Sequence, residues 1–341
     1  MKPIKTAILG YGRSGSTLHA NPLEALPDFE LTTVCDTDST ALEKAKNRFN
    51  CNVYQDYHDI LKKDLDLIVI VTRTHQHCEM VCDCLNAGKN VLVTKPWALN
   101  EQEALKMISA SERSGRMLLP WLPLRFSADL SELKKIVASK IIGNVFMIKR
   151  SVTKLGIRSD WQTEKRYGGG YLLNWGTHLV DQPVLLAGEP VKSVYAVMKH
   201  VANPGDAEDV FYAVMNTVNN ITIVSEYNYG ASGLPDWIVM GDKGTIFINN
   251  FEIEIHTASY PEKLDPTAYS NIHKIEVTKG EEGKINSKNQ YGDEYSIYGH
   301  ISRALRGTET YSVTTGDALT LTRTLDAIRQ SAETGKVVVL L

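Results

Sequence analysis

This sequence predicts an α/β chain in two parts. A doubly wound parallel sheet spans residues 1–122, and an α+β domain over 123–341 carries a large, mostly antiparallel open sheet. Three observations carry that prediction. An apolar strand runs straight into a glycine-rich turn, strand-length apolar runs alternate with helical periodicity as far as Trp121, and beyond Leu122-Pro123 short strands recur with tight turns. At 341 residues there is length for two cores, and 43% hydrophobic with 23% charged residues is an ordinary globular composition.

The first element and its turn, residues 4–15, read I-K-T-A-I-L-G-Y-G-R-S-G. Gly10 permits the tight reversal from strand to helix, Gly12 lets the backbone approach a pyrophosphate, and Gly15 lets the helix pack on the sheet. The helix N-terminus offers free N–H donors to anionic oxygens, so Tyr11, Arg13 and Ser14 belong to the same dinucleotide-binding loop. The next strand ends in Asp36, roughly 20 residues beyond the last glycine, as a ribose contact requires. A carboxylate there accepts ribose hydroxyls and repels a 2′-phosphate, which favours NAD; Arg13, able to meet a phosphate, keeps NADP open. The bland alternative is a ligand-free turn with Asp36 capping the helix at Ser39. Strand, turn, spacing and acid together outweigh it.

In the first part, strands are expected at 4–9, 31–35, 67–71, 90–94 and 117–121, with helices from Gly15 and near 40–49. Pro22 and Pro27 shorten the first helix. Asn100 with Glu103 reads as a capping pair opening the helix that carries Leu105 and Ile108. In the second part a helix at 129–139 precedes strands at 145–151, 191–199, 210–217, 221–227 and 237–240. Asp242-Lys243-Gly244 and Asn249-Asn250 are turn signals. The polar stretch 259–290 reads as a long loop with one strand near 272–277, and helices at 294–305 and 318–334 close the chain. An open sheet covered by helices on one face needs cover on the other. A homodimer or homotetramer through the C-terminal sheet supplies it.

Several classes are disfavoured. A net charge of −3 offers nucleic acid no basic face. No apolar run approaches the ~20 residues needed to span a bilayer, and a strand begins at once where a secretory signal would lie, so a cytoplasmic protein without a membrane partner is expected. Cys35, Cys51, Cys78, Cys82 and Cys84 are odd in number and crowded early, unlike a disulfide framework. His75, His77, Cys78, Cys82 and Cys84 lie close together, yet the predicted helix turns Cys84 away from Cys78 and Cys82. No metal is expected, and His75 is read as exposed.

Two further clusters bear chemistry. Residues 87–96, A-G-K-N-V-L-V-T-K-P, deliver Lys95 and Pro96 at a strand's carboxyl end, where open α/β sheets bind ligands. Residues 168–181, G-G-G-Y-L-L-N-W-G-T-H-L-V-D, place Asn174 and His178 four apart on one face of a predicted helix. With Gly10-Tyr11-Gly12 and the segment from Thr72 to His77, these clusters resemble the Gfo/Idh/MocA family of NAD(P)-dependent oxidoreductases over nearly the whole chain. Gly10-Tyr11-Gly12 with His19-Ala20, and His178-Leu179-Val180-Asp181-Gln182, look most like the branch containing scyllo-inositol dehydrogenases.

The resemblance implies a Rossmann domain, a substrate domain and a cleft between them. It places Thr72, Arg73, Thr74, His77, Lys95 and Pro96 at the cofactor. It also implies that Lys95 polarises the reacting hydroxyl or carbonyl while His178 exchanges its proton, with Asn174 as the third catalytic member. A histidine titrating near neutrality suits that exchange, and a shielded lysine of lowered pKa shares it. Substrate contacts fall to Lys95, Arg125, Trp161, Gln162, Asn174 and His178, with Lys165 nearby. Three residues depart from the family pattern: Thr94 and Asn174 replace carboxylates, and Arg73 replaces a common proline. The implied substrate is a small polyol: a sugar, sugar derivative or cyclitol with a secondary hydroxyl. No anion-clamping signature in the sequence requires a carboxylated one. Redox-neutral elimination or glycosidic cleavage on bound NAD stays open as a second reading, and sensing without turnover stays open as a third through Thr94 and Asn174.

Overall fold

Strand β1 (Ile4–Leu9) starts a six-stranded parallel sheet with β2 (Phe29–Cys35), β3 (Asn52–Tyr54), β4 (Leu67–Ile70), β5 (Asn90–Thr94) and β6 (Leu118–Trp121), in the order β3-β2-β1-β4-β5-β6. The computed structural model describes residues 2–230, 233–260, 267, 276–280, 283–285 and 292–341. Every residue of β4 is buried, because α1 (Ala20–Ala25), α2 (Ser39–Phe49), α3 (His77–Asn86) and α4 (Glu101–Ser114) cover the two faces. Strand order reverses between β1 and β4, and the crevice at their carboxyl ends is the natural ligand position. The three residues of β3 are too few to show a period in the sequence.

Proline shapes both helices that border this crevice. The first opens as a wide π turn over Gly15–His19 directly ahead of Pro22, which has no N–H for the Leu18 carbonyl. It stops at Ala25, because Pro27 holds Leu26 in an extended conformation.

The second sheet comprises β7 (Val145–Thr153), β8 (Val191–Lys199), β9 (Val210–Thr217), β10 (Thr222–Asn228), β11 (Trp237–Gly241), β12 (Gly244–Asn249), β13 (Glu252–Ser259), β14 (Glu276–Lys279), β15 (Gly283–Lys284) and β16 (Val338–Val339). Its order is β14-β13-β12-β11-β7-β10-β9-β8-β16, with β15 on β13. All pairings are antiparallel except β7 with β10, whose parallel register brings Arg150 beside Ser225. Both predicted turns join strands, β11 to β12 and β12 to β13. Of the strand expected near 272–277, the described part lies in β14; residues 272–275 lie outside the described residues.

Helices α5 (Ala128–Ala138), α6 (Thr177–Ala187), α7 (Glu294–Leu305) and α8 (Thr315–Thr334) complete the chain. α6 contains Pro183, which leaves the Leu179 carbonyl without its helical donor, and the buried Ser225 hydroxyl on β10 donates to that oxygen at 2.7 Å. Gln182 accepts from Arg150 Nε (3.1 Å) and donates to Leu124 O and Ser127 Oγ (3.0 Å each). The last helices return to the first sheet. Trp97 Nε1 donates to Thr322 Oγ1 at 2.8 Å, and Tyr298 is enclosed by His19, Phe29 and Trp121. The second sheet's outer face leaves Tyr195, Val197 and Tyr212 exposed. Among the described residues no helix is long and apolar enough to cross a membrane.

Removing the Ser225 hydroxyl orphans the Leu179 carbonyl in a dry interface. Ser225→Ala is expected to lower unfolding free energy by about 1–2 kcal/mol in urea denaturation; unchanged stability would refute the pairing's role.

Candidate active site

The glycine loop shows which of its glycines the protein itself needs. Gly10 has φ +93°, and a Cβ there would sit 2.8 Å from the Val71 carbonyl oxygen. A Cβ on Gly15 would collide with the Gly10 carbonyl. At Gly12 a Cβ would meet nothing within 4 Å. Space is therefore kept on the open side of Gly12, where a pyrophosphate would approach the backbone, and the loop fits a dinucleotide. Asp36 accepts from the Tyr11 and Asp38 amides (2.6 and 2.9 Å), which fixes its carboxylate beside the loop with lone pairs remaining for ribose. The Tyr11 ring turns into the core, edge-on to Phe49, so Tyr11 offers backbone only.

Gly12, Arg13, Ser14 and Gly15 line one wall of a cleft of about 600 Å³ that Thr72, Thr74, Lys95, Pro96, Trp161, Gln162, Asn174 and His178 also line. Most of the residues expected at cofactor and substrate thus share one space, of a size typical for ligand sites. His77 acts behind the wall. Its ring nitrogens face Thr72 O (3.1 Å) and Pro96 O (2.9 Å), so the neutral ring donates to one of them and ties the two loops together. Burial lowers its pKa to about 4.

Four expectations change. Arg125, expected at the substrate, does not line the cleft: Nε and Nη2 grip Asp181 at 2.8 and 2.6 Å and Nη1 lies 3.2 Å from Asp317, so its charge is engaged between α6 and α8. Arg73 is exposed and lies over the Tyr167 ring at 4.5 Å, away from the cleft. Lys165 is exposed on the surface. His75 is half-buried, 5.3 Å from the Tyr167 ring, because the loop after β4 folds against the segment before Gly168. Among the described residues no cluster of three or more His, Cys, Asp or Glu is arranged to hold a metal ion, and Cys84 is fully buried apart from Cys78 and Cys82.

The chemistry converges on Lys95. It leaves the end of β5, and its Nζ donates to both Asn174 Oδ1 (2.7 Å) and Asn174 O (2.8 Å). Asn174 presents both oxygens because the helix ahead of α6 opens as a π turn over Leu172–Gly176, a local widening that the expected regular helix lacked. Both acceptors are neutral. Thr94, in the position of the family carboxylate, has turned its hydroxyl to the Ile70 carbonyl at 3.1 Å. Lys95 is half-buried by surface, but its amine is packed around by protein, and this burial, reinforced by Arg158 and Arg13, lowers its pKa to about 7.

His178, on α6, has a buried Nε2 with no hydrogen-bond partner. Burial, followed by the charges of Lys95 and Arg150, holds its pKa well below the ordinary histidine range. The site therefore contains a neutral imidazole and an amine poised near neutrality. Sequence reasoning passed over Arg158, Asp160 and Trp175, which also line the cleft. Their one available signal was adjacency to Trp161 and Asn174.

Both halves of the chain are similar to known proteins. Residues 4–120 match the model of the oxidoreductase family with an NAD-binding Rossmann fold, and residues 130–247 match the GFO/IDH/MocA C-terminal domain. An uncharacterised oxidoreductase of Schizosaccharomyces pombe is 30% identical over 76% of this chain and 76% of its own. The scyllo-inositol 2-dehydrogenase (NADP(+)) of Bacillus subtilis is 22% identical over 99% of this chain and 96% of its own. An NAD-binding protein of Listeria innocua superimposes with a TM-score of 0.86 at 25% identity, covering 99% of this chain and 97% of that one.

The contrast between glycines is testable by calorimetric NAD titration with thermal denaturation. Gly12→Ala is expected to weaken NAD binding at least tenfold with little change in Tm. Gly10→Ala is expected to lower stability by about 1–3 kcal/mol through strain and collision.

Proposed function

This chain belongs to the Gfo/Idh/MocA oxidoreductase family, and on that premise we propose that it oxidises a secondary hydroxyl of a sugar, sugar derivative or cyclitol with NAD. The observation that carries the reading is Lys95, an enclosed amine held by two neutral oxygens beside the imidazole of His178 in the cleft that the glycine loop borders. Bound at that loop, the dinucleotide supplies the hydride acceptor. Asn174 holds Lys95 Nζ in place, and the neutral amine takes the proton of the substrate hydroxyl. In reverse, the ammonium returns that proton to the carbonyl oxygen. His178, kept neutral by its surroundings, serves better as a hydrogen-bonding partner that orients the hydroxyl than as the group that exchanges the proton. The titration assigned to it from sequence passes to Lys95.

Asp36 supports NAD over NADP, since a 2′-phosphate beside its carboxylate meets like charge. The polyol class draws support from the scyllo-inositol 2-dehydrogenase among the relatives and from Trp161, Gln162 and Asn174 on the cleft wall. The five free thiols fit a reducing compartment, the cytoplasm. The exposed Tyr195, Val197 and Tyr212 fit a homodimer or homotetramer through the outer face of the C-terminal sheet. Tyr212→Glu is expected to convert the assembly to monomers in analytical ultracentrifugation, and a wild-type monomer would refute it.

Turnover is tested by following reduced nicotinamide while NAD or NADP is offered with inositols and aldoses. Lys95→Met is expected to lower kcat by at least about 100-fold with NAD binding retained; unchanged turnover would remove Lys95 from the mechanism. Its lowered pKa sets the sign of the pH dependence. Above about pH 7 the amine is free to accept a proton, so kcat/KM for oxidation rises through that value and the reverse reaction falls. Asn174→Asp places a carboxylate against the ammonium, favours its charged form, and is expected to move the limb alkaline by roughly 1 unit or more.

A further inference from the structure

Beside the main cleft lies a second chamber of about 430 Å³, and Arg13, Arg158, Asp160 and Trp175 line both. A group attached to a sugar at Lys95 thus has a continuous way into it. The chamber's inner side is aromatic: Tyr171 and Tyr227 stack at 3.9 Å and Trp175 lies 6.3 Å from Tyr227 in near-parallel orientation. Its rim is basic. Lys154 has no ion-pair partner among the described residues, and Arg158 shares its charge with Asp160 at 2.8 Å. If Arg13 is engaged by the cofactor's phosphates, Lys154 and Arg158 still outnumber the single carboxylate.

Resting on the dehydrogenase reading, we propose that this chamber is an anion subsite that selects sugars bearing a carboxylate or phosphate substituent, the ring seated on Trp175 and the anion between Lys154 and Arg158. Arg158 is partly buried against the chamber wall and Lys154 stands at its open rim, and these two cations face one carboxylate, so an anionic ligand would complete the charge balance. Arg158 and Arg13 also act on Lys95, which places their positive charge at the end of the cleft that opens into the chamber. No contiguous motif announces the site, because Arg13 follows β1 while Lys154 and Arg158 follow β7.

The test compares D-glucose, D-glucuronate and D-glucose 6-phosphate, both as substrates with NAD and as ligands of the NAD-saturated protein in calorimetry. At least one anionic sugar is expected to exceed D-glucose about tenfold in kcat/KM and in affinity, and the advantage should shrink as salt is raised. Which sugar wins separates carboxylate from phosphate. Lys154→Ala is expected to cut the anionic-to-neutral ratio several-fold and Lys154→Arg to retain it, while circular dichroism reports folding. Equal or preferred use of D-glucose, or a ratio indifferent to Lys154→Ala, overturns the subsite and leaves the dehydrogenase reading standing. Tighter binding of anionic sugars without NAD reduction by any sugar sinks the dehydrogenase reading and upholds the subsite. Binding of none of the three overturns the subsite outright.

Discussion

An amine enclosed by protein with no carboxylate beside it is the constraint around which the cleft is organised. Lys95 reaches from the first sheet across the cleft to Asn174, and two short hydrogen bonds to neutral oxygens replace part of the lost hydration. A carboxylate would stabilise the ammonium; an amide and a backbone carbonyl orient the amine without doing so, which leaves the proton free to move near neutral pH. The two nearby arginines act in the same direction. They make the bridge between the halves of the molecule a chemical setting as well as a packing contact.

That setting requires α6 to be held against the sheet and the loops around it. The helix is an awkward support, with a π turn before it and Pro183 inside it. Its defects are answered one by one: Ser225 serves the Leu179 carbonyl, Gln182 is held by Arg150 and in turn by Leu124 and Ser127, and Asp181 is gripped by Arg125. Burial pushes the Asp181 pKa up while Arg125 pulls it back, so this pair contributes more to geometry than to net stability. The family-like stretch from His178 to Gln182 therefore divides its labour. His178 faces chemistry, and the residues after it hold the helix that carries it.

Legibility differed by the range of the physics involved. The parallel sheet, the glycine turn and most second-sheet strands were readable because apolar period and turn chemistry act within a few residues. Gly15 has a local steric reason in the Gly10 carbonyl and Gly10 a local one in its positive φ, although its steric neighbour Val71 is distant in sequence, and Asp36 directly follows β2. Lys95 was readable because strand ends converge on the crevice. Arg125 misled because a cation near a substrate segment looks the same in sequence whether it meets a ligand or a buried aspartate. His75 misled likewise, its partner Tyr167 being distant along the chain.

The sequence by itself determined the secondary-structure periods, the dinucleotide turn and the identity of Lys95, Asn174 and His178 as residues of interest. Tertiary structure decided their chemistry. Lys95 and Asn174 stand 79 positions apart, Arg125 and Asp181 stand 56 apart, and the basic rim gathers Arg13 with Lys154 and Arg158. A charge's role depends on which opposite charge, hydrogen-bond acceptor or water lies within a few ångströms of it. Folding alone sets that distance.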